Sequence, residues 1–297
     1  MSEKKLLRPV IVGDWVRICE NPQLGALDNS DRSKQDVVDH HAYRGNDGRW
    51  RLWACIRNSG VGHLIYGWTG DSFVKGPWEP IGVVLRASPE WGEAREGSTR
   101  EHVGAPFFVE HEDLLYCFFH SSGHIHLLVS RDRENFERVK GWDNTSRIHF
   151  GGRDAMVIRV GEYWLNYSCV TTVTADGWQS NFVIVRKSKD IRFWRWADYT
   201  IVSQGGVAGG GGVSAESPFV VYKAGYYYLF RSSSLDFRTY VYRSETPFHF
   251  GVHDDSKLIT DFDLKAPEIF EENGVEYITH LADFRGLMAA RLEWHEE

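Results

Sequence analysis

The chain has 297 residues, 42% of them hydrophobic and 25% charged, which is the composition of a folded globular protein with material for a large core. No stretch approaches the roughly 18 apolar residues that a membrane-spanning helix needs, which excludes a helical membrane protein. Lys and Arg number 34 against 41 Asp and Glu, a net charge of -7 with no basic stripe, and this argues against a nucleic-acid partner.

The first residues carry charge but neither an apolar core nor a small-residue cleavage site, so they do not read as a secretory signal, and a cytoplasmic address is expected. A strand-like run, Leu7 to Val12, comes next. Five related units then follow, each a strand, a tight turn, an aromatic-rich strand, a gap and a third strand. They cover residues 39–58 with 63–73, 105–123 with 124–136, 153–170 with 181–194, 216–234 with 239–250, and 266–283 with 286–294. Their turns fall at Asp47-Gly48, Glu112-Asp113, Gly161, Ala224-Gly225 and Asn273-Gly274, residue types that accept the positive φ of tight hairpins. Aromatic residues are 14% of the chain and sit mostly in these alternating runs, which favours strands. Helical periodicity is nearly absent; residues 131–139 are the one candidate and read better as a connecting loop. Cys19, Cys55, Cys117 and Cys169 form no CxxC pair and no disulfide framework, so they are expected to be reduced and buried.

Five such units predict an all-β fold, a five-bladed β-propeller forming a single domain over residues 1–297. No blade can bury both of its faces alone, so blades pack on one another, with residues such as Tyr226, Tyr227 and Tyr228 filling the layers. The fifth unit stops after its third strand, so Leu7 to Val12 is expected to supply its outer strand. A β-sandwich with a small second domain is the competing architecture.

In a propeller the first strand of each blade lines the axis, and charge begins three of these strands. Unit one opens on Asp39, unit three on Arg153 and Asp154, unit four on Glu216, while units two and five carry Ala105-Pro106 and Ala266-Pro267. Three carboxylates aimed at one axis would be costly in a core without partners. Such a set suits glycoside cleavage, which needs one carboxylic acid and one carboxylate base or nucleophile, with a third able to tune the acid. The plainer alternative makes them strand caps, or structural ion pairs with Arg153.

The order Asp, Arg-Asp and Glu-x-Pro resembles the five-bladed propeller glycosidases over almost the entire chain: family 43, with its arabinanases and xylosidases, and the related families 32 and 68. That resemblance implies Asp39 as catalytic base or nucleophile, Asp154 as pKa modulator, Glu216 as general acid and Arg153 as a ligand of sugar hydroxyls. His40 and Ala155 replace the proline that usually follows the two aspartates, and Asp36 competes for the first role. Chain size and the lack of an Asn-Asp-Pro motif favour the inverting chemistry of family 43. The implied substrate is an oligosaccharide or glycoside with a terminal furanose or pentose. A non-catalytic carbohydrate-binding propeller is the alternative.

Secondary candidates follow from position. His102, just before Gly104-Ala105-Pro106, is a candidate sugar ligand or alternative acid, and His40 and His41 adjoin the first carboxylate. His280 is a candidate at the channel centre, where some relatives hold calcium; no organic cofactor is implied. Trp91 and Trp178, in loops, are candidate stacking platforms for a sugar ring. The glycine-rich run 205–212 lacks the ending of a phosphate loop and reads either as a mobile lip over the site or as a surface loop.

Overall fold

A computed structural model describes residues 4–94 and 97–297. Its strands form five sheets arranged as a five-bladed β-propeller. The innermost strands are Asp36–Arg44, Gly104–His111, Arg153–Val160, Glu216–Lys223 and Ile269–Glu272, one to a blade. Each runs antiparallel into a second and a third strand through tight turns. At Glu112-Asp113, Ala224-Gly225 and Asn273-Gly274 both turn residues have positive φ, as the sequence requires of two-residue hairpins.

The ring closes through the N-terminal segment. Leu7–Glu20 pairs antiparallel with Gly286–Glu296 and is the outermost strand of blade 5, longer than the run visible in the sequence. The Leu7 amide donates to the hydroxyl of Tyr228, which is fully buried and packs edge-on against Trp294 at 4.8 Å. Apolar contact lies mostly between blades. Tyr43, Trp53, Phe108 and Phe119 fill one layer, and Trp50, Phe73 and Phe270 another. All four cysteines are buried and unpaired.

One backbone feature recurs in every blade. Asp39, Ala105, Asp154, Ser217 and Ala266 all have φ between 35° and 56°, a region that residues other than glycine seldom enter. In four blades a β-bulge interrupts the pairing at the same place, between Val38 and His40, Gly104 and Phe107, Arg153 and Met156, and Glu216 and Phe219. A bulge with a left-handed residue bends the strand and re-aims its side chain, and the five left-handed residues line one cavity on the axis. It also corrects the register expected from sequence. Asp39 and Asp154 are equivalent to Ser217, whereas Glu216 stands one residue earlier, level with Val38, Gly104, Arg153 and Lys265.

Candidate active site

The start of the inner strands opens into a pocket of ≈ 270 Å³ lined by Asp39, Asp154, Glu216 and Arg153 together with Arg57, His63, His120, Lys265 and Phe284. Carboxylates from blades 1, 3 and 4 therefore meet in one place. Ala105 and Ala266 occupy the other two equivalent positions, and their small side chains line a cavity of ≈ 20 Å³ on the axis, room for about one water molecule.

Asp154 is the most buried carboxylate of the three. It accepts from the Ser217 amide at 3.2 Å and from the Cys169 thiol at 2.9 Å, with His120 Nδ1 at 3.4 Å and Arg153 Nε at 3.7 Å. Burial alone would raise its pKa, but the His120 hydrogen bond and the Arg153 charge hold it below the usual carboxylate range. Asp154 is thus a fixed anion. Asp39 has a single polar contact of this kind, from the Ser217 hydroxyl at 3.2 Å. Burial, and next the negative charge of Asp154, push its pKa up to about 6. Ser217 links the two aspartates, its amide on one and its hydroxyl on the other.

Glu216 is held from three sides. Arg153 Nη2 lies 3.1 Å from Oε1, Lys265 Nζ lies 3.0 Å from Oε2, and the Ser234 hydroxyl donates to the same oxygen. Arg153 is braced in turn by the Thr171 hydroxyl at 3.0 Å. Asp36, the rival for the first role, does not line the pocket; its carboxylate pairs with Arg57 at 3.0 Å.

Beneath this floor, His40 bonds Thr279 at 2.7 Å and His41 Nε2 stands 3.5 Å from Glu268. Burial pushes both imidazoles down to about 3 and raises Glu268 well above the usual carboxylate range. The residues do not fit a channel cation. Among the described residues no group of three or more His, Cys, Asp or Glu side chains is arranged to hold a metal ion, and His280 packs edge-on against Trp15 at 5.2 Å.

Several sequence candidates lie outside the pocket lining. His102 stacks edge-on with the lining residue His63 at 5.3 Å. Trp178 is exposed, beside the hairpin tip of blade 3, and Trp91 lies in the segment joining blades 1 and 2, where its carbonyl accepts from the Ser146 amide. The glycine-rich segment is tied down by Arg231. This fully buried side chain donates to the carbonyls of Gly205, Gly209 and Ser214 and to the Ser203 hydroxyl. That anchoring speaks for a fixed loop over a mobile lip.

His120, Lys265, Arg57, His63 and Ser217 are pocket residues that the sequence reading missed. Lys265 and Ser217 flank positions already singled out in blades 4 and 5, so the repeat register could have found them. His120 and Arg57 come from second strands, where the repeat carries no mark.

No family model matches the chain, and no curated protein matches its sequence. Solved structures share its fold at low identity. A thermostable family-43 glycoside hydrolase superposes with a TM-score of 0.63 at 14% identity, covering 94% of this chain and 93% of its own. An exo-1,5-alpha-L-arabinanase from a bovine ruminal metagenomic library gives 0.60 at 18%, covering 88% and 93%. The GH43_1 enzyme from Xanthomonas citri, in complex with xylose, gives 0.61 at 12%, covering 87% and 88%. The protein is structurally similar to these five-bladed glycoside hydrolases.

Proposed function

We propose that this protein is a glycoside hydrolase that removes a terminal furanose or pentose residue from an oligosaccharide, with inversion. The observation that carries the reading is the meeting of Asp39, Asp154 and Glu216, from three blades, in one pocket. A cavity of ≈ 270 Å³ is at the small end for ligand sites and suits a chain end. Asp39 takes the proton of the attacking water. Its pKa of about 6 leaves it ionised at neutral pH yet basic enough to accept that proton. Asp154, held ionised, stabilises the positive charge of an oxocarbenium-like transition state. Glu216 protonates the leaving oxygen, and Arg153 orients its carboxylate and binds sugar hydroxyls. The fold shared with xylose- and arabinan-directed enzymes supports the pentose assignment. A second reading, a carbohydrate-binding propeller without turnover, is favoured by the two ion pairs on Glu216, which must be broken or rearranged before it can carry a proton.

The test is cleavage of aryl furanosides and pyranosides by wild type, Asp39→Asn and Glu216→Gln, with the anomer of the first product read by NMR. Release by wild type that Asp39→Asn abolishes, with an inverted product, supports the enzyme. Sugar binding without release by wild type transfers the assignment to the binding module.

A further inference from the structure

One cation of the pocket lining, Arg57, forms no ion pair with the three carboxylates of the pocket among the described residues. Arg153 and Lys265 contact Glu216, but Arg57 pairs with Asp36, outside the lining, through one of its five N–H groups. Its Nε is buried with no hydrogen-bond partner among the described residues. A buried donor left unmet is costly, and this one belongs to a side chain that lines the pocket. Arg57 and Lys265 also lie against the same aromatic ring. Arg57 Cζ is 5.3 Å and Lys265 Nζ 5.9 Å from the centroid of Phe284, and Lys265 is 5.2 Å from that of Phe237.

The two phenylalanines are placed at a conformational cost. Phe237 and Phe284 sit at equivalent hairpins of blades 4 and 5, their rings 6.0 Å apart, and each has φ 61°, a region that bulky residues avoid. Strain of this kind concentrates at binding sites. The Lys265 side chain is mostly buried beside these rings, at 14% exposed, while that of Arg57 is 38% exposed and reaches toward solvent.

We infer that the substrate of this pocket is an anionic glycoside, whose carboxylate or sulfate lies on the leaving-group side between Arg57 and Lys265. Position decides the side. Arg57 pairs across the sheet with Asp36, three residues outward of Asp39, so it stands above the carboxylate floor where the departing residue leaves. The Arg57 guanidinium offers a planar fork that a carboxylate or sulfate can engage through two oxygens, and Lys265 offers a point charge. An oxyanion that draws Lys265 toward itself also releases Glu216 from one of its two cations, freeing it to carry the proton it donates. This inference rests on the glycosidase reading for the word substrate; the anion site itself does not.

The test compares 4-carboxyphenyl and 4-carbamoylphenyl glycosides of the sugar that wild type releases, a pair alike in shape and different in charge. The expected result is a KM at least tenfold lower for the carboxylate, with the gap closing in about 0.5 M NaCl and in Arg57→Gln, and partly restored in Arg57→Lys. D-Glucuronate should raise the melting temperature of wild type more than D-glucose does, a readout independent of turnover. Equal KM values together with no extra protection by glucuronate overturn the inference. So does acceleration of cleavage by inorganic phosphate, which would make the anion a co-substrate. Failure of wild type to cleave either glycoside while glucuronate still protects, dependent on Arg57, would remove the hydrolase and leave the anion site standing.

Discussion

Asp39→Asn should stabilise the protein at pH 8 and leave it nearly unchanged at pH 4. The Asp39 carboxyl is raised from 3.8 to about 6 in the fold, chiefly by burial and then by the charge of Asp154. A carboxyl with a raised folded pKa stabilises fully below its unfolded pKa, and that stability is lost as pH climbs through the folded value. Two pKa units correspond to about 3 kcal/mol, and partial solvent access to the side chain reduces this to about 1.5 to 3 kcal/mol. Asparagine keeps the shape, can accept from the Ser217 hydroxyl and tolerates the left-handed φ of 35° at this position. At about 2 to 3 °C per kcal/mol for a chain of this size, the variant should melt about 3 to 9 °C above wild type at pH 8. Thermal and urea denaturation of both proteins between pH 4 and pH 8 measures the difference, in which all other titrating groups cancel. A difference that stays constant across this range, or a variant less stable than wild type at pH 8, would refute the assignment of a raised pKa to Asp39. The stability gained by the variant is what the fold gives up to bury an ionisable carboxyl at this position.

The same carboxyl fixes the acid side of the rate profile: kcat/KM on an aryl glycoside should rise with pH through about 6, and a limb near pH 4 would assign the base elsewhere. Gly104→Ala places a Cβ 2.9 Å from His120 Nε2 and 3.3 Å from Cys55 Sγ; His120 should leave Asp154, and kcat should fall about tenfold with little loss of melting temperature. Arg231→Met strips the donors from three buried carbonyls and should cost about 3 to 5 kcal/mol in urea unfolding; a loss under about 1 kcal/mol would show that the glycine-rich segment holds itself. Removing residues 1–12 deletes the pairing of Leu7 to Val12 with blade 5 and the bond to Tyr228, and should lower the melting temperature by at least about 5 °C.

How far the sequence discloses this fold depends on which constraints are local. Turns are local: Asn273-Gly274 announces a hairpin because its backbone must enter positive φ. Blade number follows from counting them. The three carboxylates were legible because each precedes an apolar strand, and composition makes a charge there conspicuous. The bulge was not legible. Alanine at 105 and 266 gives no hint of φ 46° and 49°, so the sequence sets unit four one residue out of step. Glu216 opens unit four in the sequence as Asp39 opens unit one, although Ser217 is the true equivalent of Asp39. Asp36 was separable from Asp39 only by its cross-strand neighbour, Arg57, a relation between strands that spacing along one strand does not encode. His120 reaches Asp154 in the same way, from a different blade.

The pairing of Leu7–Glu20 with Gly286–Glu296 sets the order in which the molecule can be made. Leu7–Glu20 is made before its partner and must wait for it, so the ring stays open until Gly286–Glu296 has been synthesised. During that interval the outer edge of blade 5 is missing and the N-terminal strand has no partner, an exposed edge of the kind that seeds association between nascent chains. Once closed, Leu6 and Glu297 lie together, with the Glu297 amide 3.0 Å from the Leu6 carbonyl. A circular permutant that joins these ends and opens between two blades would let every blade complete itself from consecutive sequence. It should refold faster and in higher yield than the natural order, because its longest-range pairing would have become local.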